Sequence, residues 1–139
     1  MVKRTFFLLL CLSLYTLFSM AEDAPASLDC ANAISTPDIN TCTKIELDKQ
    51  ELKLNQTYQR VLSMFDALSK PPMQGADKSK LKKQLIEAQR LWVRFRKADC
   101  DTTYTFWSDG TIRGVMYLSC MIEKTNARIK ELEAYEQTY

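Results

Sequence analysis

Residues 81–100 read LKKQLIEAQRLWVRFRKADC and carry the pattern that decides the fold. Apolar residues recur at intervals of three and four, the spacing that places side chains on one face of an α-helix. The pattern continues beyond residue 100, with Asp99 as a polar break. Because it is sustained over this length, it predicts a helix that forms one seam of a helical bundle. The predicted apolar face comprises Leu81, Leu85, Ala88, Trp92, Phe95, Thr102 and Phe106.

A second amphipathic segment precedes this helix. Thr36 is a good N-cap residue and Pro37 fits the first helical position, so we expect a helix from Thr36 to about Ser69. It ends before the two prolines of a linker at residues 70–76, after which Asp77 or Ser79 is expected to cap the next helix. Its predicted apolar face comprises Leu47, Leu54, Tyr58, Val61, Phe65 and Leu68.

A third amphipathic segment follows the turn predicted at residues 108–110 and ends near Tyr135. Its apolar face comprises Val115, Leu118, Ile122, Thr125, Ile129 and Leu132. We therefore predict an all-α fold, an antiparallel three-helix bundle, with a short helical turn at residues 28–34 before it. The domain is expected to span residues 28–135. Ile45 and Leu52 fall opposite the first apolar face, so either another segment covers them or they offer a small apolar face to a partner.

The first 21 residues resemble an export signal. Lys3 and Arg4 precede an uncharged apolar run, and Ser19 and Ala21 supply the small residues that a signal peptidase reads. We predict cleavage after Ala21, with residues 22–27 as a flexible lead-in; the alternative is an uncleaved membrane anchor. Contact with the membrane is expected only through this segment, and the protein is expected in the periplasm or outside the cell.

Composition limits the chemistry. The chain has 139 residues, a formal net charge of +2, no His and three Gly. The small charge argues against nucleic-acid binding. The lack of His removes the commonest general base and metal ligand, and no pair of carboxylates stands out as catalytic. We therefore expect no enzyme activity, no cofactor and no metal site.

The chain has five Cys, and removal of the signal leaves four. An even number in an exported chain indicates two disulfides, for which three pairings exist. Residues equidistant from a hairpin turn lie side by side, and the midpoints of Cys30 with Cys42 and of Cys100 with Cys120 fall at predicted breaks. We therefore predict the disulfides Cys30–Cys42 and Cys100–Cys120. A redox or metal site is the alternative, but the spacing contains no CxxC motif.

Charge is distributed unevenly along the chain. Residues 22–69 carry four basic and eight acidic residues, residues 70–97 carry nine and two, and residues 98–139 carry four and seven. The basic stretch Lys78 to Lys97 is either neutralised by acidic neighbours in the bundle or available to an anionic partner. Within it, we expect Arg96 to lie against Trp92 and to pair with Asp99, with Gln89 nearby, in a network that fixes helix register rather than binds a ligand.

Three groups of residues give the sequence a family resemblance. They are Leu54, Asn55 and Tyr58 on the first helix, Gln89, Trp92, Phe95, Arg96 and Cys100 on the second, and Cys120, Thr125, Arg128 and Leu132 on the third. In this order and spacing they resemble the N-terminal domain of the LprI lysozyme inhibitor family. Glu51 stands where that family often has Asp, and its Gly-rich turn is reduced to Asp109 and Gly110. The resemblance implies a small exported helical domain and, for some members, inhibition of lysozyme.

We interpret the protein as an exported binding protein with lysozyme, or another exported or envelope protein, as its partner. In this hypothesis the disulfide-clamped loop enters the lysozyme cleft, where Arg113 meets the catalytic carboxylates; the alternative is an ordinary helix–helix turn. The candidate contact residues are Ser108, Asp109, Gly110, Thr111 and Arg113. Two other functions stay open: an envelope interaction module without catalytic activity, and an immunity-type protein against a cell-wall toxin.

Overall fold

A computed structural model describes residues 28–70 and 78–138. It contains three helices, α1 (Thr36–Leu68), α2 (Leu81–Phe106) and α3 (Arg113–Gln137), and no strand within the described ranges. The predicted all-α three-helix bundle is therefore confirmed. The predicted signal at residues 1–21, the lead-in at residues 22–27 and the proposed cap Asp77 lie outside the described residues.

The helix starts differ slightly from the sequence prediction. The N-cap of α1 is Ser35, not Thr36: its Oγ accepts a hydrogen bond from the backbone N–H of Asp38 at 3.2 Å. The prediction that Ser79 is the N-cap of α2 is wrong, because the N-cap is Lys80, whose side chain makes no capping hydrogen bond. Leu81 N–H donates to the carbonyl of Lys78 at 3.1 Å, so residues 78–81 form a turn before the helix begins.

The segment before α1 forms a single turn rather than a helix. The backbone N–H of Asn32 donates to the carbonyl of Asp29 at 3.3 Å. The Asp29 carboxylate accepts hydrogen bonds from the Asn32 side chain at 2.7 Å and from Ala31 N–H at 3.0 Å. The Asn32 bond, followed by the Ala31 bond, lowers the pKa of Asp29. Local polar contacts therefore shape this segment, and Cys30 attaches it to α1.

The helices run up, down and up. α1 and α3 are parallel and share the largest interface, as the ion pairs Lys53–Glu133 (3.3 Å) and Arg60–Glu136 (2.7 Å) indicate. α2 runs antiparallel to both, since Lys82 near its start pairs with Asp66 near the end of α1 at 2.6 Å. The N-terminus of α1, the α2–α3 loop and both disulfides thus lie in the same half of the bundle.

The core consists of two apolar clusters along the bundle axis. One contains Leu54, Val61, Phe65, Leu85, Ile129 and Leu132. The other contains Leu47, Cys100 and Met121, and lies toward the α2–α3 loop. Most of the predicted faces of α1 and α3 are therefore correct. Ile45 and Leu52 are exposed, at 55% and 60%, and no described segment covers them.

Four of the seven residues predicted for the apolar face of α2 are exposed: Ala88, Phe95, Thr102 and Phe106. Phe95 and Phe106 are 55% and 80% exposed, whereas Arg96 and Cys100 are buried. One residue along a helix rotates the side chain by about 100°, so choosing Phe95 over its neighbour Arg96 turned the predicted face away from the true one. The pattern favoured the apolar residue, but the structure buries the arginine.

Both predicted disulfides are present. Cys30 is bonded to Cys42, and Cys100 to Cys120, with Cα–Cα distances of 5.5 and 5.6 Å. The second bond joins α2 to α3 next to the buried cluster of Leu47 and Met121. The first joins α1 to the exposed segment that precedes it. The two bonds therefore restrain different parts of the protein. Cys100–Cys120 restrains two helices at the core, whereas Cys30–Cys42 restrains the exposed segment before α1.

Replacing both Cys100 and Cys120 by Ala is expected to lower the free energy of unfolding by about 2–4 kcal/mol, because the bond closes the α2–α3 hairpin and its Cys100 is part of the buried core. Replacing both Cys30 and Cys42 should cost clearly less, since the freed segment is already exposed. Chemical denaturation of the oxidised proteins measures both values. Equal losses for the two double variants would contradict this assignment.

Asp66 joins α1 to α2 at the end of the bundle opposite the α2–α3 loop. Its carboxylate accepts hydrogen bonds from Lys82 on α2 at 2.6 Å and pairs with Lys70 at 3.0 Å. These two cations, Lys82 foremost, lower the pKa of Asp66 to about 2 from an ordinary value of 3.8. Because the pKa is depressed in the folded protein, the ionised carboxylate stabilises the fold.

The contribution of Asp66 is present above about pH 4 and is lost as the pH falls toward 2. Asp66→Asn should therefore be less stable than the native protein at pH 6, and the difference should shrink between pH 4 and pH 2. Thermal unfolding monitored by circular dichroism across this range tests it. Asp109→Asn, a change in the exposed loop, serves as the control and should leave the pH dependence of stability unchanged.

Candidate functional site

Arg96 of the second motif forms a polar layer with Glu51 and Thr125 between the two core clusters. Arg96 is 9% exposed, and its guanidinium donates to Thr125 Oγ1 of α3 at 2.7 Å and pairs with Glu51 of α1 at 2.9 Å. Thr125 Oγ1 in turn donates to the carbonyl of Met121 at 2.7 Å. One arginine therefore connects all three helices.

Trp92 completes this layer. The guanidinium carbon of Arg96 lies 4.9 Å from the centre of the Trp92 ring, a cation–π geometry. Within the described residues, Arg96 Nε has no hydrogen-bond partner. The aromatic face therefore supplies part of the stabilisation that this buried nitrogen lacks, and the predicted stacking of Arg96 on Trp92 is observed.

The predicted pair of Arg96 with Asp99 is wrong. Asp99 instead pairs with Lys124 of α3 at 2.8 Å, and Glu51 is the carboxylate that reaches Arg96. Sequence spacing placed Asp99 within reach on the same helix, but Arg96 points into the core and Asp99 toward α3. The sequence feature that could have identified Glu51 as a partner was its position three residues before Leu54 of the first motif.

The remaining motif residues divide into packed and exposed groups. Arg128 Nε donates to Gln89 Oε1 at 3.0 Å, which joins α3 to α2. Leu54 and Leu132 are buried in the larger cluster, and Tyr58 packs against it. Asn55 and Phe95 are exposed, and Lys124 Nζ lies 5.3 Å from the centre of the Phe95 ring. Most of the motif is therefore architectural, and these two residues are not part of the core.

The α2–α3 loop lies at one end of the bundle, as expected. Ser108, Asp109, Gly110 and Thr111 are all exposed, and a backbone hydrogen bond from Gly110 N–H to the carbonyl of Trp107 (3.1 Å) closes the turn. Asp109 accepts a long hydrogen bond from Ser108 Oγ at 3.5 Å. These small polar residues alone offer little area for a partner.

Arg113 is held against this loop. Its guanidinium donates to the carbonyl of Ser108 at 3.3 Å and lies 5.4 Å from the centre of the Tyr104 ring. The Tyr104 ring in turn contacts Tyr117 edge-on, at 6.2 Å between centres. Arg113 is exposed, so it keeps donors free while its position is set by the turn and the ring.

Large apolar side chains surround the loop, and their exposure is not evident from the sequence pattern. Phe106 is 80% exposed and its ring contacts Trp107 edge-on at 5.8 Å between centres. We call the exposed surface formed by Tyr104, Phe106, Trp107, Ile112 and Arg113 the aromatic tip. Trp, Tyr and Arg are the residues most often found at binding hot spots. The available signal was the run of aromatic residues immediately before the turn, which the helical pattern had assigned in part to the core.

The described residues contain no group of three or more Cys, Asp or Glu arranged to hold a metal ion. No helix in the described ranges is both long and apolar enough to cross a membrane. The arrangement at the tip, with aromatic rings and one exposed guanidinium, suits contact with a partner surface.

Comparison with known proteins supports the motif assignment. A family model described as "Lysozyme inhibitor LprI" matches residues 29–132. A protein of Rhizobium meliloti (strain 1021), described as uncharacterized, is 28% identical over 107 residues, which cover 76% of either chain. The uncharacterized protein YecT of Escherichia coli (strain K12) is 25% identical over 129 residues, covering 84% of this chain and 77% of its own. No solved structure gave a significant match.

Arg96→Ala is expected to destabilise the fold by about 2–4 kcal/mol, because it removes charged hydrogen bonds to two helices and leaves a cavity. Arg94→Ala is the matched control: Arg94 is exposed on the same helix, and its loss should change stability by less than about 0.5 kcal/mol. Urea denaturation measures both. Similar values for the two variants would show that Arg96 does not hold the helices together.

Proposed function

The chain belongs to the LprI lysozyme inhibitor family, and from this membership we propose that it binds lysozyme and blocks its active-site cleft. The family and the two disulfides indicate an exported protein. We further propose that the signal is removed after Ala21, which releases the bundle into the periplasm or the medium. The observation that carries the proposal is the exposed aromatic tip beside the Cys100–Cys120 bond.

The aromatic tip supplies the contact surface. Phe106 and Trp107 present large apolar area that the bundle does not bury, and burying aromatic side chains contributes strongly to binding. A lysozyme cleft accommodates sugar rings, whose flat apolar faces an aromatic ring can replace. The turn at residues 108–111 is narrow and contains only small side chains, so it fits into a cleft ahead of the larger residues.

Arg113 gives the tip its charge. Retaining lysozymes use two carboxyl groups in the cleft, and a guanidinium pairs with a carboxylate through two parallel hydrogen bonds. With its guanidinium positioned by Ser108 and Tyr104, Arg113 reaches a carboxylate without first being ordered. In this mechanism Arg113 neutralises a catalytic group while the rings exclude the substrate.

The disulfide makes the tip ready for binding. Cys100 and Cys120 fix α2 and α3 to each other close to the loop. Restraining a loop in its bound conformation lowers the entropy that association must overcome. A clamped hairpin therefore binds more tightly than the same residues on a flexible segment.

Purified protein without residues 1–21 should slow the hydrolysis of cell-wall substrate by lysozyme. Trp107→Ala, and the double variant Phe106→Ala/Trp107→Ala, should weaken inhibition at least tenfold, because hot-spot truncations cost about 2 kcal/mol or more. Arg113→Ala should also weaken it. Inhibition constants measured with several lysozyme types give the result.

The matched control is Ile45→Ala/Leu52→Ala, which removes exposed apolar side chains of α1 that are not part of the aromatic tip. It should inhibit like the native protein. Unaltered lysozyme rates with folded, oxidised protein would refute the proposed function. Inhibition that survives the Phe106 and Trp107 changes would show that another surface binds.

A further inference from the structure

Five cations form a row on the outer face of α2. Lys80, Lys83, Arg90, Arg94 and Lys97 follow one another at intervals of three, seven, four and three residues, and all are exposed. These intervals place them within about 100° of arc on the helix. We call this row the outer basic stripe. Leu85, Arg96 and Cys100, the buried residues of α2, lie on the opposite side, so the stripe faces away from the bundle.

The acidic neighbours in the bundle do not neutralise the stripe. They reach the inward cations of α2 instead: Asp66 pairs with Lys82, and Glu51 pairs with Arg96. The sequence left open whether the basic stretch is balanced by other helices. In the structure, carboxylates of α1 pair with the inward cations of α2. Among the residues that the structure describes, the outward cations that form ion pairs do so only with carboxylates of α2 itself.

The stripe retains an excess of positive charge. Lys97 pairs with Asp101 at 2.6 Å, and Arg90 lies 4.0 Å from Glu87, both on the exposed surface of α2 itself. In the described part of the chain, Lys80, Lys83 and Arg94 form no ion pair. The like charges of these three residues repel one another, and an anionic ligand relieves that repulsion.

The dimensions of the stripe indicate the kind of ligand. At 1.5 Å per residue, Lys80 and Lys97 are about 26 Å apart along the helix. A single row on a convex helix matches a chain with regularly spaced acidic groups, whereas a membrane surface requires cations spread over a broad face. A groove of about 760 Å³ beside the stripe is lined by four cations, Lys70, Lys82, Lys83 and Arg90, and by two carboxylates, Asp66 and Glu87. Both carboxylates pair with cations of the groove, so the groove keeps an excess of positive charge and gives room for the body of such a chain.

We propose that the outer basic stripe binds an acidic polysaccharide, in keeping with an exported protein that works in the cell envelope. This surface is separate from the aromatic tip, since the tip lies at the last turn of α2 and the start of α3, whereas the stripe ends at Lys97, about two helical turns before Tyr104. Binding along the stripe holds the protein to the envelope polymer while the tip remains free for its partner.

The test uses the oxidised protein without residues 1–21 and polygalacturonate, a carboxylate-bearing polysaccharide, with uncharged dextran for comparison. The native protein should bind polygalacturonate and not dextran, and binding should weaken severalfold as salt rises from 50 to 200 mM. The triple variant Lys83→Gln/Arg90→Gln/Arg94→Gln should lose at least tenfold in affinity. Isothermal titration calorimetry measures the affinities, and circular dichroism verifies the fold.

The control variant Lys44→Gln/Lys49→Gln/Lys130→Gln removes the same charge from exposed positions on α1 and α3. It should retain most of the affinity. Equal losses in the two triple variants would show a general charge effect and overturn the proposal, as would binding to vesicles of anionic phospholipid without binding to the polysaccharide. Lysozyme inhibition by the stripe variant should be unchanged, so the two proposals fail independently.

Discussion

The buried guanidinium of Arg96 restricts how the three helices fit together. A charged group in a core is costly unless it is paired and hydrogen-bonded. Its partners, Glu51 and Thr125, come from α1 and α3, so both conditions are met only when all three helices are in register. Apolar clusters above and below the polar layer tolerate sliding by a turn, but this layer does not. The buried arginine therefore fixes the register of the three helices at a cost in folding stability. The disulfides and the apolar clusters offset that cost.

The two halves of the bundle are stabilised by different interactions. The half near the α2–α3 loop contains both disulfides and the smaller apolar cluster. The opposite half contains the larger cluster and the ion pairs of Asp66 and Arg60. A small apolar cluster by itself would leave the loop half weak, and covalent bonds compensate for this. The exposed aromatic residues therefore lie in the half of the bundle that contains both disulfides.

Much of the fold was predictable from the sequence, because the intervals of three and four and the symmetric placement of Cys around the turns are direct consequences of helix geometry. The face of α2 was not, since hydrophobicity favours Phe95 for the core and only the carboxylate and hydroxyl of other helices make Arg96 the better choice. The partner of Arg96 was predicted wrongly for the same reason. Asp99 is close to Arg96 in the sequence, whereas Glu51 comes close to it only in the folded protein. The loop at the tip was predicted from its turn residues, but Phe106 beside it had been assigned to the apolar face.

Neither disulfide joins α1 to the other two helices: Cys30–Cys42 closes within the α1 region and Cys100–Cys120 within the α2–α3 hairpin. The polypeptide between Leu68 and Leu81 is thus the covalent connection between two separately cross-linked pieces. A protease that cuts there leaves two fragments held only by the bundle interface, each with its own intact disulfide.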